Sequence, residues 1–213
     1  VGAYHLYESK FDSMSAEALG DYIIKDTDNR IFAIAELLRK GGTIDAIHDA
    51  TAIDRLYLRK IRSIVETEAA LRVNIGDADT LYRAKRMGFS DKAIALLWGH
   101  DELAVYKMRK DARILPVFKM IDTCASEFES YVTYFYATYE DENESVRTDK
   151  RKIVVLGAGP IRIGQGVEFD YSTVHAVQTI KRAGYEAIII NNHPETVSTD
   201  YTTADTLSLE PLT

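Results

Sequence analysis

Three- and four-residue spacing of mostly apolar positions runs from Asp26 to about Arg113, as at Ile31, Ile34, Ala35 and Leu38 and then Leu58, Ile61, Val65, Glu68 and Leu71. That period predicts amphipathic helices. Gly41-Gly42 stops the first of them, and Thr43 and Asp54 stand where N-caps of the next two belong, with Ser90 and Asp101 equivalent further on. Sliding the chain by 47 residues superposes Gly41 on Gly88, Thr43 on Ser90, Ile47 on Ile94, Asp54 on Asp101, Leu58 on Val105 and Ile61 on Met108. The pattern is two copies of a small unit with a helix-turn-helix outline. Each copy is too small to bury its own apolar stripe, so the copies are expected to pack on each other or on another chain.

After Pro116 the text becomes β-branched and aromatic, in Val117–Cys124 and Tyr131–Tyr139, and predicts extended structure. The acidic run Glu140–Glu144 and the polar stretch to Arg151 read as a linker, which puts the domain boundary at 148/149. Lys152–Leu156 has the look of a strand buried on both faces, a Gly-rich loop follows, and Tyr171–Arg182 is helical, with Asp170 placed to cap it and Gly184 just beyond its end. Ala187–Asn191 is a second strand, so Lys152–Asn191 forms a βαβ unit with a right-handed crossover, and Thr206–Leu209 is a third short strand. Two or three strands make a marginal sheet, and a truncated domain is expected. The fold class is α+β: an all-helical domain (1–148, with an extended connector at 115–148), then an incomplete Rossmann-like α/β segment (149–213).

Composition narrows the function. Hydrophobic residues make up 46% of 213, enough for a core. The net charge is −7, and Lys150–Thr213 holds 6 basic and 7 acidic residues against 20 and 26 before it, so no segment is basic enough to displace phosphate counterions from a nucleic acid. The apolar runs are too short to span a bilayer and the first residues lack a secretory pattern, which suggests a cytoplasmic protein with no membrane partner. Cys124 is the only cysteine and reads as a packing residue, and no Cys/His cluster has metal-ligand spacing, so no metal site is expected.

The candidate chemistry lies in Gly157-Ala158-Gly159-Pro160-Ile161-Arg162-Ile163-Gly164-Gln165-Gly166-Val167-Glu168-Phe169-Asp170-Tyr171. Glycines there allow a tight turn and close approach of an anion to backbone amides ahead of a helix start. The third glycine comes too late for the dinucleotide fingerprint, Pro160 removes a donor, and Asn191-Asn192 stands where a ribose-binding carboxylate belongs. A redox-sensing repressor with a helix-turn-helix and an NADH domain is the alternative that these departures disfavour. Arg162 either grips an anion through its planar fork or ties the loop to Glu168 or Asp170. Glu168 and Asp170 look like an acid/base pair, but residues just before a helix are more often caps. Asn192, Glu195, Thr196 and Asp200 follow the second strand, where open α/β sheets bind ligands, and either shape a site or form a hydrogen-bonded loop. His175 reads as a satisfied or semi-buried helix residue, and Tyr131, Tyr134, Tyr136 and Tyr139 as an interdomain surface or the inner face of an extended segment.

The loop, together with Asn192-His193-Pro194-Glu195-Thr196-Val197-Ser198-Thr199-Asp200-Tyr201, closely resembles the opening of the second synthetase half of the carbamoyl-phosphate synthetase large subunit. The resemblance extends back through Asp122–Phe128, Tyr134–Glu142, Arg30–Ala35 and Thr51–Leu58, with His193 and Phe118 as departures. It implies an oligomerisation domain up to about Thr148, then the start of the pre-ATP-grasp domain of the half that phosphorylates carbamate. In such an enzyme, bicarbonate, ATP and ammonia from glutamine become carbamoyl phosphate for arginine and pyrimidine synthesis. The resemblance further implies ATP and Mg²⁺ bound beyond Thr213, a glutaminase small subunit and copies of the chain itself as partners, and an isolated piece without activity. Gly157, Gly159, Arg162, Gly164, Gln165, Gly166, Glu168, Asp170, Asn192, Glu195 and Thr196 would then line the carbamate-phosphorylating site or the channel feeding it.

Overall fold

The structure, a computed structural model, describes residues 4–25, 27–122, 127, 134–159, 165–193 and 196–212. The chain divides into two compact units, Val1–Leu115 and Pro116–Thr213.

The first unit is built from α1 (Ala16–Ile24), α2 (Arg30–Arg39), α3 (Ile44–Thr51), α4 (Arg55–Val73), α5 (Ala78–Arg86), α6 (Asp91–Trp98) and α7 (Glu102–Asp111). The 47-residue repeat holds in three dimensions, since α3 and α4 begin 47 residues before α6 and α7. Thr43 accepts from the Ala46 N–H at 3.2 Å and Ser90 from the Ala93 N–H at 3.0 Å, so both cap as expected. Asp54 accepts from the Leu56 N–H at 2.7 Å, whereas Asp101 holds the N-cap place of α7 without a side-chain bond. Ile34 and Leu81, Ile47 and Ile94, and Leu58 and Val105 are equivalent pairs, all 0–2% exposed. Ile31, expected on the stripe, is exposed instead.

The equivalence reaches the turns. Ala52 ends α3 at φ 57° and Gly99 ends α6 at φ 66°, both left-handed. Only glycine enters that region without steric cost. Ala52→Gly is therefore expected to stabilise the unit by about 0.5–1 kcal/mol, the relief of strain less the extra freedom of an unfolded glycine. A higher urea midpoint with an unchanged slope would show it; an unchanged midpoint would refute it.

Buried charged groups of this unit are partnered. Glu68, on the apolar stripe of α4, accepts from Arg39 at 2.6 Å and from Arg72 at 2.9 Å. Burial pushes its carboxyl up, but the two guanidinium hydrogen bonds outweigh this and hold it below the usual carboxylate range. Trp98 Nε1 donates to the Leu71 carbonyl at 2.8 Å and ties α6 to α4.

The second unit holds β1 (Val117–Met120), β2 (Tyr134–Thr138), β3 (Lys152–Leu156), α8 (Gly166–Arg182), β4 (Glu186–Asn191) and β5 (Thr206–Leu209). The sheet order is β1-β2-β5-β4-β3, parallel except for the β1/β2 pair. The expected β-α-β run is present, and so is the third strand. The sheet is larger than the 149–213 segment could supply, because the extended segment before it contributes β1 and β2, and β2 pairs with β5 through Tyr134↔Leu207. The compact units part at Leu115/Pro116, ahead of the 148/149 boundary expected from the sequence.

The acidic stretch is no free linker either. Asn143 Oδ1 accepts from the Phe118 N–H at 2.8 Å, Glu144 Oε2 from the Met120 N–H at 2.7 Å, and the Glu144 N–H donates to the Phe118 carbonyl at 2.8 Å. These bonds occupy the outer edge of β1, which would otherwise be open to another strand.

One face of the sheet packs on α8, where Val177 meets Ala187, Ile189, Ala204 and Leu207, with Tyr134, Val155 and Ile180 around them. Tyr134 thus belongs to an inner face. The other face is open: Val154 is 51% and Leu156 67% exposed, and a cavity of ≈ 570 Å³ runs past Val154, Ile188, Ile190, Phe118 and Phe135. The expectation that β3 is buried on both faces is corrected accordingly, since it is an edge strand with a helix on one side only. Among the described residues no helix is long and apolar enough to cross a membrane.

Candidate functional site

The carboxyl ends of β3, β4 and β5 lie side by side because these strands are parallel and in register, Leu156↔Ile190 and Asn191↔Leu209. Gly157 follows β3, Asn192 follows β4, and α8 begins at Gly166 after the loop. Of the candidate residues, Arg162, Gly164 and Glu195 lie outside the described residues, as do Cys124 and Tyr131. The described candidates fall into two groups.

The first group builds the floor. Gly157 donates its N–H to the Ile190 carbonyl at 2.8 Å, which extends the β3/β4 ladder by one residue. A Cβ there would sit 2.5 Å from Asn191 Cγ, so the space a side chain would need is filled by the amide of Asn191, itself 1% exposed. The glycine is required by this contact. Gly159 has φ 75°, in the left-handed region that favours glycine. Asn191 Oδ1 accepts from the Asn192 N–H at 2.9 Å, and the Asn191 carbonyl accepts from the Glu210 N–H at 3.0 Å, which fixes the chain where it leaves β4.

The second group is the start of α8 and the short 3₁₀ turn Val197–Thr199. Helix α8 opens at Gly166, four residues before Asp170, with Gln165 at the N-cap place and making no side-chain cap bond. Asp170 is therefore not the cap. It sits in the helix at 1% exposure, and its carboxylate accepts from the Ser198 N–H at 3.0 Å, from Ser198 Oγ at 3.0 Å and from Thr196 Oγ1. Glu168 stands two residues away and is exposed. The buried carboxylate has its oxygens engaged by these donors, whereas Glu168 stands open to solvent. Thr196 is likewise held, by its hydroxyl on Asp170 and its N–H on Thr199 Oγ1 at 3.0 Å. Asp200, just after the turn, accepts from Thr202 Oγ1 and N–H, and these two bonds hold its carboxyl below the usual range.

His175, expected to be satisfied or semi-buried, is exposed, with its ring tilted at 52° against Tyr171 one turn earlier, centroids 4.2 Å apart. Among the described residues no three His, Cys, Asp or Glu side chains converge to hold a metal ion. Asn191, weighed in the sequence only for lacking a ribose-binding carboxylate, and Ser198 are the residues of this cluster not expected there. Their signal was present, in two buried-strand positions ending in an amide and a Thr-x-Ser spacing after it, but nothing local says that these reach Asp170.

Two family models match. One, described as the carbamoyl-phosphate synthetase large chain oligomerisation domain, covers residues 1–113; the other, the carbamoyl phosphate synthase preATP-grasp domain, covers 149–213. The chain belongs to the carbamoyl-phosphate synthetase large-chain family. Its helical repeats are thus the family's oligomerisation domain. The β3-α8-β4-β5 segment is preATP-grasp in type, from a ligase family.

Proposed function

We propose that this chain serves in an ATP-dependent, glutamine-using carbamoyl-phosphate synthetase of the cytoplasm, where the helical unit joins copies of the large chain and the α/β unit borders the carbamate-phosphorylating site. The observation that carries it is the pairing of the two family matches in this order along one chain. In this reading the carboxyl ends of β3, β4 and β5, with Gly157, Gly159, Gln165, Gly166, Asn192 and Thr196, form one wall of the site or its channel, and Arg162, Gly164 and Glu195 add to it. ATP and Mg²⁺ are held by the enzyme elsewhere, so the chain in isolation catalyses nothing. A glutaminase subunit supplies ammonia, and the product feeds arginine and pyrimidine synthesis.

Self-association has support in the helical surface. Leu56 and Leu103, equivalent in the repeat, are 52% and 55% exposed, and Tyr57, Leu96 and Tyr106 are exposed as well. Large apolar side chains left in water favour contact with a second copy. Sedimentation of the chain at about 100 µM, where an interface with a Kd near 10 µM is mostly filled, is expected to show a species larger than the monomer. A strict monomer there sinks the oligomerisation half of the proposal.

A further inference from the structure

Three hydrogen-bond donors from the turn after β4 converge on Asp170: Thr196 Oγ1, the Ser198 N–H and Ser198 Oγ. Ser198 Oγ in turn lies 3.5 Å from Asn191 Nδ2, and the same Asn191 amide caps the Asn192 N–H and fills the space beside Gly157. One buried carboxylate on α8 therefore links the start of the loop after β3, the exit of β4 and the turn that follows it. Helix α8 does not depend on this carboxylate to dock, because Val177 and Ile180 supply its apolar contact with the sheet. A buried polar network that packing does not require fixes geometry, since each member accepts only one arrangement of its partners.

We propose that Asp170 is a positioning residue for the carbamate-phosphorylating step: through Ser198 and Asn191 it holds Asn192 and Gly157 in the register that the reaction needs. This rests on the reading above that these segments border that site. An ionised carboxylate offers acceptors on both oxygens, as three donors demand; an asparagine of the same shape would turn an NH₂ group toward at least one of them. Asp170→Asn thus changes hydrogen bonding at constant volume. Small displacements of positioning groups are costly in rate, on the order of 100-fold for 1 Å.

The test uses the intact large subunit with its glutaminase partner. The rate of phosphoryl transfer from carbamoyl phosphate to ADP, the reverse of the carbamate step, is measured as a ratio to bicarbonate-driven ATP hydrolysis in the other half. General loss of folded enzyme lowers both rates and leaves the ratio unchanged. Asp170→Asn is expected to lower the ratio about 10-fold through kcat, with the KM for ADP within about 2-fold of the parent. Gly166→Phe, at the first residue of α8, is assayed in parallel and is expected to let glutamine hydrolysis continue while carbamoyl phosphate formation falls. If Gly166→Phe uncouples the two and Asp170→Asn leaves the ratio unchanged, the positioning role is overturned and the site reading stands. If neither variant has an effect, the site reading fails and the role with it. Should Asp170→Asn not fold, Ser198→Ala, which removes one donor, decides by the same ratio: a fall of about 3-fold supports the role, and no change overturns it.

Discussion

Replacing Asp91 by alanine is expected to destabilise the helical unit by about 3–5 kcal/mol, because two buried cations lose their common partner. Asp91 opens α6 and receives Lys85 Nζ at 2.8 Å together with Arg109 Nε and Nη2, the latter at 3.0 Å. All three side chains are 13% exposed or less. Lys85 would keep the Phe89 carbonyl and Arg109 the Ile114 carbonyl, but a carbonyl dipole does not neutralise a cation. Burial pushes the Asp91 carboxyl up, and the hydrogen bonds from Lys85 and Arg109 outweigh it and hold the group below its usual 3.8. A depressed carboxyl contributes stability that is complete above its unfolded value and lost as pH falls through the folded one. The parent should therefore lose stability below about pH 4; Glu68, also depressed, contributes to that decline, so Asp91→Ala should lack only the part due to Asp91.

The repeat supplies its own control for this prediction. At the equivalent places the first copy has Leu38, Ile44 and Arg62, where Leu38 and Ile44 pack against the core and Arg62 turns outward to Glu66. The same backbone thus accepts either an apolar filling or an ion triad. Carrying Lys85→Leu, Asp91→Ile and Arg109→Met together is expected to recover most of what Asp91→Ala loses, as buried ion pairs can be replaced by well-packed apolar groups at little cost. Thermal or urea unfolding of the two variants decides: a loss under about 1 kcal/mol for Asp91→Ala, the range of a surface pair, would show that the triad is screened by solvent.

In the α/β unit the largest effect is expected from Gly157→Ala, a destabilisation of about 1–3 kcal/mol through overpacking. The added Cβ would lie 2.5 Å from Asn191 Cγ and 2.8 Å from both Nδ2 and Oδ1. The amide has nowhere to swing, being 1% exposed and bonded to the Asn192 N–H. Asn191→Ala removes the obstacle, at the cost of that bond. In a double-mutant cycle, Gly157→Ala should then cost less in the Asn191→Ala background, with a coupling of about 1–2 kcal/mol. Additive losses would mean that the Asn191 amide is not what keeps a side chain out of this position.

Local chemistry was enough for much of this fold. Caps at Thr43, Asp54 and Ser90, the stop at Gly41-Gly42, the 47-residue repeat and the β3-α8-β4 run all depend on residues within a turn or two of each other, where spacing and side-chain type decide the conformation. The family, too, was legible in the loop and the Asn192–Tyr201 text, although the spacing of the glycines pointed no further than to an anion-binding turn.

Other features were settled over longer distances. Asp170 precedes an apolar-periodic segment and so reads as a cap, yet α8 starts four residues earlier and turns that carboxylate inward to a loop 26–28 residues away. The sheet gains β1 and β2 because a strand edge at β5 is available to Tyr134–Thr138, and an acidic stretch with every mark of a linker instead closes the edge of β1. Exposure of the face of β3 away from α8 follows from the number of helices laid on the sheet, which no run of Ile, Val and Leu specifies. Side-chain period records only which way a residue points along its own element; which partner it meets there depends on contacts that close when distant segments pack, and those made Asn191 the reason for Gly157 and Ser198 the reason for Asp170.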